Sequence, residues 1–106
     1  MSLHEFRDLL LGITEKAYHF EAAQDAPDKY IVWQETGSRA LLASDCRQEV
    51  IHELRVDFYT EEEYDPMPEQ ILKALEDAGI AVPEQTIVYD TNTRRICYSM
   101  KCEMAG

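Results

Sequence analysis

The chain has 106 residues, 45% of them hydrophobic, and carries 21 acidic against 10 basic residues for a formal net charge of -11. That length makes one domain, residues 1–106, able to bury a core without disulfides or metal, and the negative balance argues against a direct grip on nucleic acid. No apolar run approaches the roughly 20 residues that span a bilayer, and the first residues lack the basic region and apolar core of a secretory signal, so a cytoplasmic protein that does not bind membranes is expected.

In chain order, Ser2 to Thr14 predicts a first helix. Leu3, Phe6, Leu9, Leu10 and Ile13 recur at three and four, and Ser2 with Glu5 makes a capping box. Gly12 weakens its last turn. Ala17 to Glu21 predicts a short strand, and Gln24 to Asp28 a turn-rich loop. The run Tyr30 to Glu35 is dense in β-branched and aromatic residues and predicts a strand that Thr36-Gly37-Ser38 ends. Leu41-Leu42-Ala43 is a brief strand or an extended link, and Ser44-Asp45 turns the chain into the next element.

That element, Arg47 to Thr60, is the longest predicted strand. Val50, His52, Leu54, Val56 and Phe58 fall on one side, and Ile51, Glu53, Arg55, Asp57 and Tyr59 on the other. At about 3.3 Å per residue it reaches roughly 40 Å, enough to cross a whole sheet and project beyond it. An acidic loop, Thr60 to Tyr64, leads to a second helix with Asp65 as N-cap and Pro66 as the first helical residue. Ile71, Leu72, Leu75 and Ala78 form its inward stripe, Gly79 fits the left-handed position past its end with Ile80 as the apolar contact, and Pro83 bars continuation.

A hairpin closes the chain. Thr86 to Tyr89 leads up, Asp90 to Thr93 turns, and Arg94 to Met104 returns with Ile96, Tyr98, Met100, Cys102 and Met104 on one face. The expected fold class is α+β: a two-layer sandwich of a mainly antiparallel β-sheet with two helices packed on one face.

The chemistry-bearing residues do not assemble into a signature. Cys97 and Cys102 are an odd number of positions apart on one strand, so they point to opposite faces and neither bridge nor share a metal; with Cys46 they read as three free thiols. His52 has Val56 four residues on, which excludes the two-histidine zinc helix. His19 and Glu21 share a strand face and could pair as base and orienter, although a surface pair is the simpler reading. The glycines Gly12, Gly37, Gly79 and Gly106 are scattered, against a phosphate cradle. Glu61, Glu62, Glu63 and Asp65 could gather a cation but lack the spacing of a calcium loop. Trp33 is expected in the core. No catalytic, cofactor-binding or metal residue is assigned, and no cofactor is expected.

The segment Tyr30-Ile31-Val32-Trp33-Gln34-Glu35, the strand ending Leu54-Arg55-Val56-Asp57-Phe58-Tyr59-Thr60, the acidic helix from Glu69 to Gly79-Ile80 and the closing strand Ile96 to Met104 together resemble small tail-terminator (tail-completion) proteins of long-tailed bacteriophages and prophages. The resemblance covers about residues 17 to 104. It implies a structural protein and no enzyme: a ring homo-oligomer, typically a hexamer, that caps the tail-tube protein, ends tail growth and offers the surface that the head-tail connector joins. DNA would pass through the bore without specific binding, and the protein would be found in the host cytoplasm during assembly and then in the virion tail. The loop Thr60-Glu61-Glu62-Glu63-Tyr64 departs from the basic or mixed loop expected there. Two other classes fit the sequence: a small α+β ligand-binding or regulatory module with an apolar pocket between helices and sheet, and an acidic mimic of nucleic acid.

Overall fold

The computed structural model describes residues 1–22, 27–42 and 48–105. The elements in chain order are α1 (Leu3–Ile13), β1 (Ala17–His19), β2 (Lys29–Leu42), β3 (Gln48–Thr60), α2 (Met67–Asp77), β4 (Ala81–Asp90) and β5 (Arg95–Ala105). The strands form one five-stranded sheet in the order β1-β2-β3-β5-β4. β1 runs parallel to β2 and every other pairing is antiparallel. This is the expected α+β architecture, with both helices on one face.

Local chemistry accounts for the helix ends. Ser2 Oγ accepts from the Glu5 amide at 3.1 Å while the Ser2 amide donates back to Glu5 Oε1 at 3.4 Å, the reciprocal capping box read from the sequence. At the end of α2, Gly79 takes φ +81, the Ile80 amide donates to the Leu75 carbonyl at 3.0 Å and the Gly79 amide to the Glu76 carbonyl at 2.9 Å. These two bonds satisfy carbonyls that the helix itself leaves unpaired, and the positive φ is why glycine stands there. The start of α2 shifts by one residue from the expected position. Pro66 is the N-cap and Pro68 lies in the first turn, while Asp65 Oδ1 accepts the Met67 amide at 2.9 Å from one position upstream.

Three strand boundaries also differ. β2 does not stop at Thr36-Gly37-Ser38; it continues for 14 residues, one more than β3, because the ladder absorbs Thr36 as a bulge between Glu35 and Gly37. Leu41 and Leu42 belong to β2, whereas Ala43, Ser44, Asp45 and Arg47 lie outside the described residues. β1 ends at His19, where Phe20 takes φ 69, so Glu21 is not on it. β4 begins at Ala81, well before Thr86, and accommodates Pro83 in an irregularity between Ala81 and Glu84 on the sheet edge.

The core lies between the helices and one face of β2, β3 and β5. Phe6 and Leu10 of α1 and Ile71 and Leu75 of α2 meet Ile31, Trp33, Leu54, Val56, Phe58, Met100, Cys102 and Met104. Phe6 packs edge-on against Trp33 with ring centroids 5.4 Å apart. Trp33 is thus a core residue. The molecule measures 50 × 24 × 23 Å, its length matching the roughly 45 Å that the longest strands span.

Candidate functional site

The helices cover only part of the sheet, which leaves three regions exposed: the far end of the β2–β3 pair, the uncovered face, and the two sheet edges. On β2, burial stops at Trp33, and residues from Thr36 to Ala40 are exposed. On β3 the alternation continues past Leu54, but His52 is half-buried and Val50 is 40% exposed. Here β2 pairs with β3 as far as Leu42 opposite Gln48, while β5 ends opposite Ile51. The projection inferred for β3 is therefore a two-stranded arm. The opposite end of the sheet carries Glu61, Glu62 and Glu63, all exposed, and Tyr64, 94% exposed and at φ 57.

That acidic end is anchored from inside. Asp65 is buried, where removal from water would raise its pKa, but the Met67 amide, the Thr60 hydroxyl at 2.8 Å and the Lys29 ammonium at 3.1 Å outweigh this and hold the carboxyl below its ordinary value. Lys29 also meets Glu62, and the two carboxylates raise its pKa. Asp65 and Glu62 are thus engaged in holding the loop to β2. Among the described residues no group of three or more His, Cys, Asp or Glu is placed to hold a metal ion.

The uncovered face is charge-paired. Arg39 Nη2 reaches Glu103 at 2.9 Å and its Nε lies 3.8 Å from Glu53, and Arg55 Nε lies 3.2 Å from Asp57 Oδ2. Asp57 is itself buried among these strands, and its Oδ1 has no hydrogen-bond partner. Thr36, Glu53, Arg55, Glu84, Thr86 and Lys101 line a shallow cleft of about 350 Å³ across this face. Between α2 and the sheet, Pro68, Glu69 and Leu72 face Gln85, Ile87 and Tyr98 across a cleft of about 480 Å³, whereas further in the space is filled by buried side chains.

The histidines are dispersed. His19 does not pair with Glu21; its Nε2 lies 2.5 Å from Glu35 Oε1 on the neighbouring strand, because parallel pairing brings His19 beside Trp33. Its ring is stacked between Phe20 and Trp33, with centroids 4.1 and 4.0 Å away. His4 lines the same small cleft with Leu3 and Arg7, whereas His52 lies on β3 between Ser38 and Met104, before the two-stranded arm begins. Aromatic faces and a carboxylate hold the His19 ring in place, and among the described residues no serine, threonine or cysteine lines this cleft. Cys97 and Cys102 are free and on opposite faces; burial pushes their thiols up, to about 11 and about 12, so neither is a thiolate at neutral pH. Cys46 lies outside the described residues.

What the sequence does not show is that β4, expected as a strand from Thr86 to Tyr89, is an edge. Its residues Gln85 to Tyr89 are all exposed, with Ile87 at 65%, Val88 at 55% and Tyr89 at 62%. The signal was present in the uncharged run Gln85-Thr86-Ile87-Val88-Tyr89, but only the strand order shows it to be an edge. Among the described residues no helix is long and apolar enough to cross a membrane. No protein-family model matches this chain, and no curated protein matches it significantly.

Proposed function

We propose that this protein is a structural ring subunit of the phage tail-terminator type, which caps the end of a tail tube, stops its growth and forms the surface that the head joins. The observation that carries this reading is the polarity of the elongated sheet. One end is a two-stranded arm, the other an acidic, aromatic-tipped loop from Glu61 to Tyr64 held down by Asp65 and Lys29. A ring of such subunits, all pointing the same way, has two unlike faces. Length control requires that asymmetry: a terminator must bind the last tube ring on one face and refuse another tube ring on the other.

The sequence resemblance to tail-completion proteins supports the same reading, as does the excess of negative charge, which lets DNA pass a bore without adhering. The ring is a homo-oligomer, a hexamer on the strength of the resemblance, and its partners are the tail-tube protein and the head-tail connector. Deleting the gene from an inducible phage tests the role. Overlong or headless tails in electron micrographs are the expected outcome, and infectious particles with tails of normal length would refute it.

A further inference from the structure

We infer that copies of this chain join head to tail by strand addition, the β4 edge of one pairing antiparallel with the outer edge of β2 in the next. This rests on the ring reading for its biological setting, but the pairing itself is argued from backbone geometry. β1 covers β2 only at Ile31, Val32 and Trp33, so the outer edge of β2 from Glu35 to Leu42 is unpaired among the described residues. β4 is likewise unpaired on its own outer side among the described residues. Two open edges on opposite sides of one sheet are complementary rather than identical, the condition for a heterologous contact.

The direction of the backbone groups fits. The Ile31 amide donates to Lys16 and the Trp33 carbonyl accepts from Phe20, so odd-numbered residues here point away from β3. Alternation then turns Glu35 outward and, past the bulge at Thr36, Ser38 and Ala40. Carried through the β3–β5 and β5–β4 registers, the same alternation turns Gln85, Ile87 and Tyr89 outward from β4. β2 and β4 run in opposite directions within the sheet, so a copy set alongside with its strands pointing the same way, offset by about four residues, brings its β4 antiparallel to the next β2.

Side chains select the register. With Gln85 opposite Ser38, Glu84 faces Arg39 and Thr86 faces Gly37 on the uncovered side, and Ile87 falls opposite Glu35 beyond the bulge. The paired stretch ends there, because at Trp33 the β2 edge is taken by β1 and the Phe20 amide, and Tyr89 abuts Phe20, which is 54% exposed. Opposite charges face each other across the strands and the exposed aromatics meet. Two β4 strands paired about a two-fold axis over the regular stretch from Glu84 to Asp90 would instead set Glu84 against Asp90, a like-charge pair.

Glu84 and Arg39 would form a non-hydrogen-bonded pair, with Cα atoms about 4.5 Å apart, within the reach of a disulfide. In a Cys46→Ser background, the Glu84→Cys/Arg39→Cys variant should therefore oxidise to covalent chains longer than a dimer on a non-reducing gel, with neither single change sufficient. Ile87→Pro removes an outward amide and leaves the β5 ladder intact, so it should sediment as a folded monomer, whereas Tyr64→Lys should assemble normally. Covalent dimers from Glu84→Cys/Asp90→Cys, or a monomeric protein with no cross-link, would overturn the proposal. If rings form on tubes without the Glu84–Arg39 cross-link, the pairing is wrong and the terminator role stands. If the cross-link forms but deletion leaves tails normal, the role is wrong and the pairing stands.

Discussion

The two halves of the β2–β3 pair share one ladder and one alternation of residues, yet they live in different environments. In the half toward Thr60, Ile31, Trp33, Leu54, Val56 and Phe58 are buried beneath α1 and α2. Toward the arm, His52 and Val50 continue the same side of β3 but are half-buried and exposed, respectively. Period-two patterning therefore sets which face a residue takes, and the layer above sets whether that face is dry. An exposed continuation of a core face is a surface available to a partner.

Replacing the same residue type in the two halves is the strongest test. Val56→Asp places an unpaired carboxylate in the core and should cost several kcal/mol, a large share of a total near 5–15 kcal/mol, giving an unfolded or insoluble chain. Val50→Asp, on the same face of the arm, should shift the melting temperature little, within about 0.5 kcal/mol. A soluble Val56→Asp variant with an unchanged melting temperature would break the comparison and the register together.

Next in size is Asp65→Ala, which leaves the buried Thr60 hydroxyl without its carboxylate acceptor and should cost about 2 kcal/mol in denaturant unfolding. Its pH signature has a definite sign. The folded carboxyl sits below its ordinary value of 3.8, so its stabilisation is complete above that value and is lost as pH falls through the lower folded one. The difference in stability between wild type and variant should therefore narrow below about pH 4 and stay constant at neutral pH.

If the helix layer is what separates the halves, loosening α2 should weaken only the covered half. Gly79→Ala meets no side chain, but its positive φ costs a non-glycine residue about 1 kcal/mol. Hydrogen exchange should speed at Leu54 to Phe58 and be unchanged in the arm. The mildest case is Asp57→Ala on the uncovered face, which gives up the Arg55 pairing but removes a buried oxygen that has no partner, for a net change under about 1 kcal/mol. The alternation of β3 anticipates a mild effect from solvent exposure; in the structure Asp57 is buried, and the mildness comes from offsetting terms.

Much of this protein was decided within short windows of sequence. The capping box at Ser2 and Glu5, the left-handed Gly79 followed by Ile80, and the alternation of Leu54, Val56 and Phe58 each depend on neighbours a few residues away. Local sterics and hydrogen bonding suffice to specify them. Local chemistry also predicts a strand end at Thr36-Gly37-Ser38, yet β2 runs on through it to Leu42. Pairing along the whole of β3 outweighed the weak strand preference of those residues, and one bulged residue absorbed the misfit. The partner of His19 could not be found locally either, since a parallel pairing 14 positions away in register sets Glu35 beside it. Strand order lies furthest from the sequence. Whether Ile87, Val88 and Tyr89 are core or edge depends on β5 lying between β3 and β4, a choice made by the burial of α1 and α2 over the centre of the sheet, which no residue of β4 encodes by itself.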